Sequence, residues 1–286
     1  MTFKLITDST ADLDDIWAKN KDVTVLGLTI TLDGKTYETV GENRITSEVL
    51  LDAMKNGGKP TTSQVNVGTF EAYFRQEVKA GNDILYMAFS SVLSGTYQSA
   101  VMARDMILEE YPEARIEIVD TLAAAGGEGF LVMLAAEKRD QGLSLEQVVS
   151  EMKSITPRLY SHFLVDDLYH LMRGGRLSKS SAIVGSLVNI KPLLWIDGQG
   201  KLAPLIKVKG RKKGIREMID RSVQDLDLGT VVVAHANDPE AAQEIEEKLL
   251  EKDGVERVLQ LPLGPVIAAH VGPGTLALFS VGKRER

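Results

Sequence analysis

The chain has 286 residues, 44% hydrophobic and 26% charged, enough for one large α/β domain or two modest domains with real cores. A formal net charge of -7 argues against a general binder of nucleic acid or anionic membrane, because both need a positive protein surface. Cysteine is absent, which excludes disulfides, thiolate nucleophiles and cysteine-ligated zinc or iron-sulfur centres.

In chain order, the first eight residues lack a basic segment followed by an apolar run, and no stretch approaches the length of a membrane span. A cytoplasmic location is the expectation. Short apolar runs at 4–6, 23–30, 84–89 and 116–119 read as strands, and helical spacing marks 67–78, 97–110 and 129–139. That alternation predicts parallel βαβ units. Asp33-Gly34, between 28–32 and 36–39, predicts one antiparallel hairpin in their midst. Residues 143–157 read as a helix ending at a proline, where the order of elements changes. A domain boundary is placed there, giving an N-terminal α/β domain (1–157) with a parallel sheet and a C-terminal α+β domain (158–286) with a mixed sheet. The second domain is expected to hold a strand at 163–165, helices at 168–172 and 181–188, and a hairpin through Asp197, Gly198 and Gly200. A helix at 214–223, a strand at 231–235, a helix at 239–251 and strands around Val258 and Leu276 complete it. A cleft between the halves is the expected ligand site.

Three hydroxyl-rich clusters stand before helices. Thr7, Asp8, Ser9, Thr10 and Asp12 follow the first strand and are read as a helix cap, with anion binding at the free amides as the alternative. Thr61, Thr62, Ser63 and Gln64 follow Pro60, and Ser90, Ser91, Ser94, Gly95 and Thr96 follow the 84–89 strand, at the edge where open α/β sheets place ligands. His270 is the one imidazole in the apolar stretch 264–274; a core histidine is the plainer reading and a functional one the alternative. His162, His170 and His235 show no metal-ligand spacing among themselves or with His270. The loop from Arg173 to Lys179 carries two arginines and a lysine around Gly174-Gly175, which suits either a phosphate or acidic partner, or a solvated connector with a glycine cap. Lys207, Lys209, Arg211, Lys212, Lys213 and Arg216 read as a solvated face, with partner docking second. Gly126, Gly127 and Gly129 lack dinucleotide-loop spacing and are assigned to helix packing; no Walker loop, G-x-S-x-G elbow or H-E-x-x-H is present.

Taken together and in order, Thr7 to Leu13, Thr62-Ser63-Gln64, Leu93-Ser94-Gly95-Thr96-Tyr97, Arg173-Gly174-Gly175-Arg176-Leu177-Ser178, Lys191-Pro192-Leu193 and His270 through Gly274 resemble the DegV family across nearly the whole chain. The resemblance implies a two-domain fold enclosing one long-chain fatty acid between its halves, in a lipid-binding subunit that serves a bacterial fatty acid kinase and is not itself an enzyme. It implies that Thr62, Ser94 and His270 hold the carboxylate and that Arg173 lies near a kinase-facing mouth. No metal or covalent cofactor is implied; the partners are the fatty acid and an ATP-dependent kinase subunit, with transient membrane contact allowed and no nucleic acid. Ala125 stands where the family commonly has a serine, and Ala268-Ala269 replaces a pair that often includes glycine or threonine.

Physical logic agrees with that picture. Burying an acyl tail gains about 0.8 kcal/mol per methylene, provided the desolvated carboxylate keeps good hydrogen bonds. Neutral hydroxyls and an imidazole supply them while leaving the carboxylate nucleophilic toward a γ-phosphate. Two other readings stay open: a hydrolase using Ser94 with His270 as base, and a lipid-binding regulatory module without a kinase.

Overall fold

The computed structural model describes residues 3–178 and 190–286, so the helix expected at 181–188 and Lys179 of the basic loop lie outside the described residues. The first half runs β1 (Lys4–Asp8), α1 (Asp15–Asn20), β2 (Val23–Leu26), β3 (Thr29–Leu32), β4 (Lys35–Glu38), α2 (Ser47–Lys55), β5 (Thr61–Ser63) and α3 (Val67–Lys79). It continues through β6 (Ile84–Ala88), α4 (Thr96–Glu110), β7 (Ile116–Asp120), α5 (Ala125–Asp140) and α6 (Leu145–Ile155). The second half runs β8 (Leu159–Leu164), α7 (Tyr169–Arg173), β9 (Ile190–Ile196), β10 (Leu202–Lys209), α8 (Arg211–Val223), β11 (Leu226–His235), α9 (Pro239–Leu250), β12 (Arg257–Gln260), α10 (Pro265–Val271) and β13 (Leu276–Gly282).

β1, β2, β6 and β7 form the parallel sheet, in the order β2-β1-β6-β7. Every residue of β6 is buried, as a strand covered on both faces requires. Phe70 and Phe74 of α3 pack with Tyr86 on one side, while α5 and α6 cover the other. In the second half the order is β10-β9-β8-β13-β11-β12, antiparallel except for the β11 and β12 pair. The fold is therefore α/β, with a parallel-sheet N-terminal region and a mixed-sheet C-terminal region.

The hairpin at Asp33-Gly34 forms, with φ of 51° and 79°, the left-handed pair that a tight two-residue turn demands. Two local expectations change. The run 23–30 is two strands rather than one: β2 belongs to the parallel sheet and β3 to a separate three-stranded sheet, β4-β3-β5. The break falls at Gly27, where a Cβ would stand 2.7 Å from Val40 Cγ2. The cluster at 61–63, read as a helix start, is instead β5, and Asn66 caps α3 by accepting from Thr69 N.

α5 lies between the two large sheets and explains how closely they approach. A Cβ on Gly126 would meet Val232 at 2.9 Å, one on Gly127 would meet Phe279 at 2.6 Å, and one on Gly129 would meet the Ala11 carbonyl at 2.3 Å. The glycines are helix-packing residues, as their spacing indicated. Further along, α10 begins with Pro265, ends at Gly272 (φ 76°), and packs against α2, α7 and β5. One continuous core thus joins elements of both halves.

Candidate functional site

A cavity opens where the carboxyl side of the parallel sheet meets the inner face of the mixed sheet. Its walls are mostly apolar: Phe89 and Leu93 after β6, Ala124 and Ala125 at the start of α5, Phe163 and Phe279 from the mixed sheet, and Val266 and Ile267 from α10. Thr62, Ser94, Arg176, His270 and Thr275 interrupt this lining. Thr275 is already committed, donating to the Val271 and Gly272 carbonyls.

Thr62, Ser94 and His270 are therefore brought to one cavity from β5, the β6–α4 turn and α10. Thr62 Oγ1 and His270 Nε2 are 2.8 Å apart. Buried Ser94 accepts from Thr96 N (3.2 Å) and lies 2.9 Å from Thr96 Oγ1, which fixes the hydroxyl at the start of α4. Gln64 ties the same turn to β5, donating to the Gly95 carbonyl and to Ser99 Oγ. No hydrogen bond joins Ser94 to His270, so the nucleophile and base pair of a hydrolase is not assembled here.

The imidazole is held neutral. Burial, reinforced by the positive charges of Arg176 and Arg173, brings its pKa down to about 4. Its Nδ1 is shut off from solvent without a hydrogen-bond partner and faces Gly174, where a Cβ would stand 2.3 Å away. Gly174 is thus required by this close approach. Arg173, at the end of α7, is not part of the lining and makes no ion pair among the described residues.

Arg176 is the site residue that sequence reasoning missed. Its Nε donates to the Leu93 carbonyl (3.0 Å) and its Nη1 to the Gly174 carbonyl (2.7 Å), so one guanidinium braces the Ser94 turn and the backbone beside His270 while lining the cavity. The signal was present in the second arginine after Gly174-Gly175. A guanidinium thus stands with the neutral side chains of Thr62, Ser94 and His270 in the cavity lining.

The first hydroxyl cluster is a buried network and not a helix cap; Asp14 caps α1 by accepting from Trp17 N. Tyr86 donates to Asp8 Oδ2 at 2.6 Å, and Thr10 Oγ1 lies 2.5 Å from Asp8 Oδ1 and 2.8 Å from Glu128 Oε2. Two buried carboxylates thus converge on one hydroxyl, an arrangement that favours the protonated form of one acid. Burial raises the pKa of both Asp8 and Glu128, consistent with that sharing. Asp12, at φ 53°, places both side-chain oxygens out of solvent beside Gly264, and burial raises its pKa too.

The other candidates lie elsewhere. His162 bonds Ser222 Oγ through Nδ1 (3.1 Å), and Arg211 of the basic run pairs with Asp166 and Asp238. Among the described residues, no group of histidine and acidic side chains is arranged to hold a metal ion, and no helix is long and apolar enough to cross a membrane.

Fold and cavity define a class: an α/β protein whose parallel and mixed sheets share one apolar site with a small polar end. The chain belongs to the DegV family, described as uncharacterised proteins, whose sequence model matches residues 2–283. It is 56% identical over 286 residues to a DegV domain-containing protein of Streptococcus pyogenes serotype M1, covering 100% of both chains. A DegV domain-containing protein of Lactococcus lactis is 46% identical over 288 residues, again with 100% of both covered. Among solved structures, a fatty acid-binding DegV family protein from Thermus thermophilus matches with a TM-score of 0.89 at 31% identity, covering 99% of this chain and 100% of that one. DegV of Bacillus subtilis, described as a fatty acid binding protein, matches at 0.84 and 30%, with the same coverage.

Proposed function

We propose that this protein holds one long-chain fatty acid in the inter-sheet cavity, with its carboxylate at Thr62, Ser94 and His270, and presents it to a separate ATP-dependent kinase. The observation that carries the reading is the segregation of the lining, a long apolar wall ending at a few hydrogen-bonding side chains. The fatty acid binding of the Thermus and Bacillus relatives supports it. Burial of the tail drives entry at about 0.8 kcal/mol per methylene, and the polar end repays desolvation of the carboxylate.

Arg176 adds positive potential beside the head group, but its Nε and Nη1 already donate to backbone carbonyls. The carboxylate is therefore not clamped bidentately through those two nitrogens, and its oxygen stays free to attack a γ-phosphate delivered from outside. On this reading ATP and magnesium belong to the kinase, Arg173 faces it, and the product is an acyl phosphate still held here. The chain is a substrate-presenting subunit with no catalytic residue of its own.

Organic extraction of the purified protein, with mass spectrometry of the released lipid, tests the first half: one fatty acid per chain is expected, and lipid-free protein that takes up no added fatty acid refutes it. Incubation of the loaded protein with the kinase and ATP tests the second. Formation of acyl phosphate is expected, and an unmodified acid would favour a regulatory lipid-binding module.

A further inference from the structure

We propose that Phe279, seated on the glycine pair of α5, is the wall that sets how long an acyl tail the cavity accepts; the inference rests on the fatty-acid reading above. The ring lies across Gly126 and Gly127. A Cβ on Gly127 would come within 2.6 Å of Cδ1 and 3.2 Å of Cε1, and one on Gly126 within 3.3 Å of Cε2 and 3.4 Å of Cδ2. Both edges of the ring thus rest on helix backbone, in the place two side chains would otherwise fill.

Position along β13 gives the ring its role. Thr275, Ala277 and Phe279 alternate onto the same face and all line the cavity. Thr275 is bonded to the Val271 and Gly272 carbonyls next to His270, so it marks the polar end. Phe279 lies four residues on, roughly 13 Å farther at the rise of an extended strand. Between them Ala277, paired with Phe163 of β8, leaves room that a larger residue would take. Beyond the ring the core is closed by Leu159, Val232 and Val281, all fully buried. A tail entering from the polar end therefore meets Phe279 as its stop.

The glycines make this stop adjustable. Packed neighbours cannot absorb a displaced ring, whereas the cavity can, so an added Cβ at residue 127 pushes Phe279 into the space a tail would use. A smaller side chain at 279 does the opposite. Because each methylene excluded from burial costs roughly fourfold in affinity, a small shift of the wall moves the preferred chain length measurably.

The test is competition of saturated acids, dodecanoic through eicosanoic, against a fluorescent fatty acid on wild type, Phe279→Leu, Gly127→Ala and the double variant, with thermal melts to confirm folding. Phe279→Leu should move the optimum to longer acids and Gly127→Ala to shorter ones, and the double variant should return it toward wild type. Should Gly127→Ala fail to fold, Phe279→Leu alone decides. An unmoved optimum in folded variants overturns the wall assignment while leaving fatty-acid binding intact; wild type that binds no acid of any length overturns the functional reading itself.

Discussion

Replacing His270 with phenylalanine is the sharpest probe of the polar end, because a somewhat larger benzene ring keeps the flat aromatic shape and removes both nitrogens. At neutral pH the imidazole carries a single proton, its pKa being held at about 4. With Nδ1 enclosed beside Gly174, the donor left for a ligand oxygen is the Thr62 hydroxyl, aimed by accepting from the imidazole Nε2–H, and phenylalanine leaves that hydroxyl unaimed. Losing a hydrogen bond to a charged group costs about 1.5–3 kcal/mol, so the dissociation constant of a fatty acid should rise roughly 10- to 150-fold. The preference for a fatty acid over its methyl ester should shrink in the same proportion, which separates loss of a head-group contact from general loosening. Displacement of a fluorescent acid from both proteins measures both quantities. Unchanged affinity together with unchanged acid-over-ester preference would refute the assignment. The linkage sign gives a second readout: a histidine pKa depressed in the folded state contributes stability above its unfolded value near 6.5 that is lost as pH falls toward about 4. His270→Phe should flatten that part of the melting-temperature profile without abolishing it, because burial lowers His162, to about 4, and also His170 and His235.

Gly174→Ala should weaken fatty-acid binding in the same direction as His270→Phe, since its Cβ would meet the imidazole at 2.3 Å; the displacement assay measures it. Ser94→Ala should reduce lipid retained through purification and lower stability by about 1 kcal/mol, as Thr96 N loses its acceptor at the start of α4; mass spectrometry and urea melts report the two effects. Arg173→Ala, outside the lining, should leave lipid content unchanged and slow phosphorylation of the bound acid by the kinase, read as the rate of acyl phosphate formation. Glu128→Gln should raise the melting temperature relative to wild type increasingly as pH rises above 4.5, because burial raises the folded-state pKa and the stability tied to the bound proton is lost with rising pH. A difference between the two proteins that does not vary with pH would contradict a proton resident in the network.

What the sequence made legible follows from range. Period-two and three- to four-residue spacing are local, so β6, β7, α4, α6, α8 and α9 stand near where pattern placed them, as does the Asp33-Gly34 turn. Local pattern marked the hydroxyl clusters around Thr62 and Ser94 and the lone imidazole of His270, the family resemblance singled out those three residues, and they do share one cavity. Arg176 was passed over because its importance lies in reaching the Leu93 carbonyl, 83 positions away in sequence. The Thr7 to Asp12 cluster misled for the same reason: local rules assign such hydroxyls to capping, but their partners here are Tyr86 and Glu128. Where two sheets converge on a single helix, tertiary partners outcompete the local ones.

That helix also explains why a protein with a cavity at its centre can hold its two halves in register. Along one turn of α5, Gly126 and Gly127 admit Val232 and Phe279 of the mixed sheet, Glu128 reaches Thr7 and Thr10 at the end of β1, and Gly129 admits the Ala11 carbonyl. The residue just before them, Ala125, lines the cavity at φ 55°, a left-handed conformation for a residue with a Cβ. Glycine on the packing faces lets the backbone approach without steric loss, while the carboxyl hydrogen-bonded to Thr7 and Thr10 fixes the rotation of the helix about its axis. A rotation that broke the Glu128 bonds would also lift the glycines off Phe279, so the buried polar network and the apolar wall constrain the same degree of freedom.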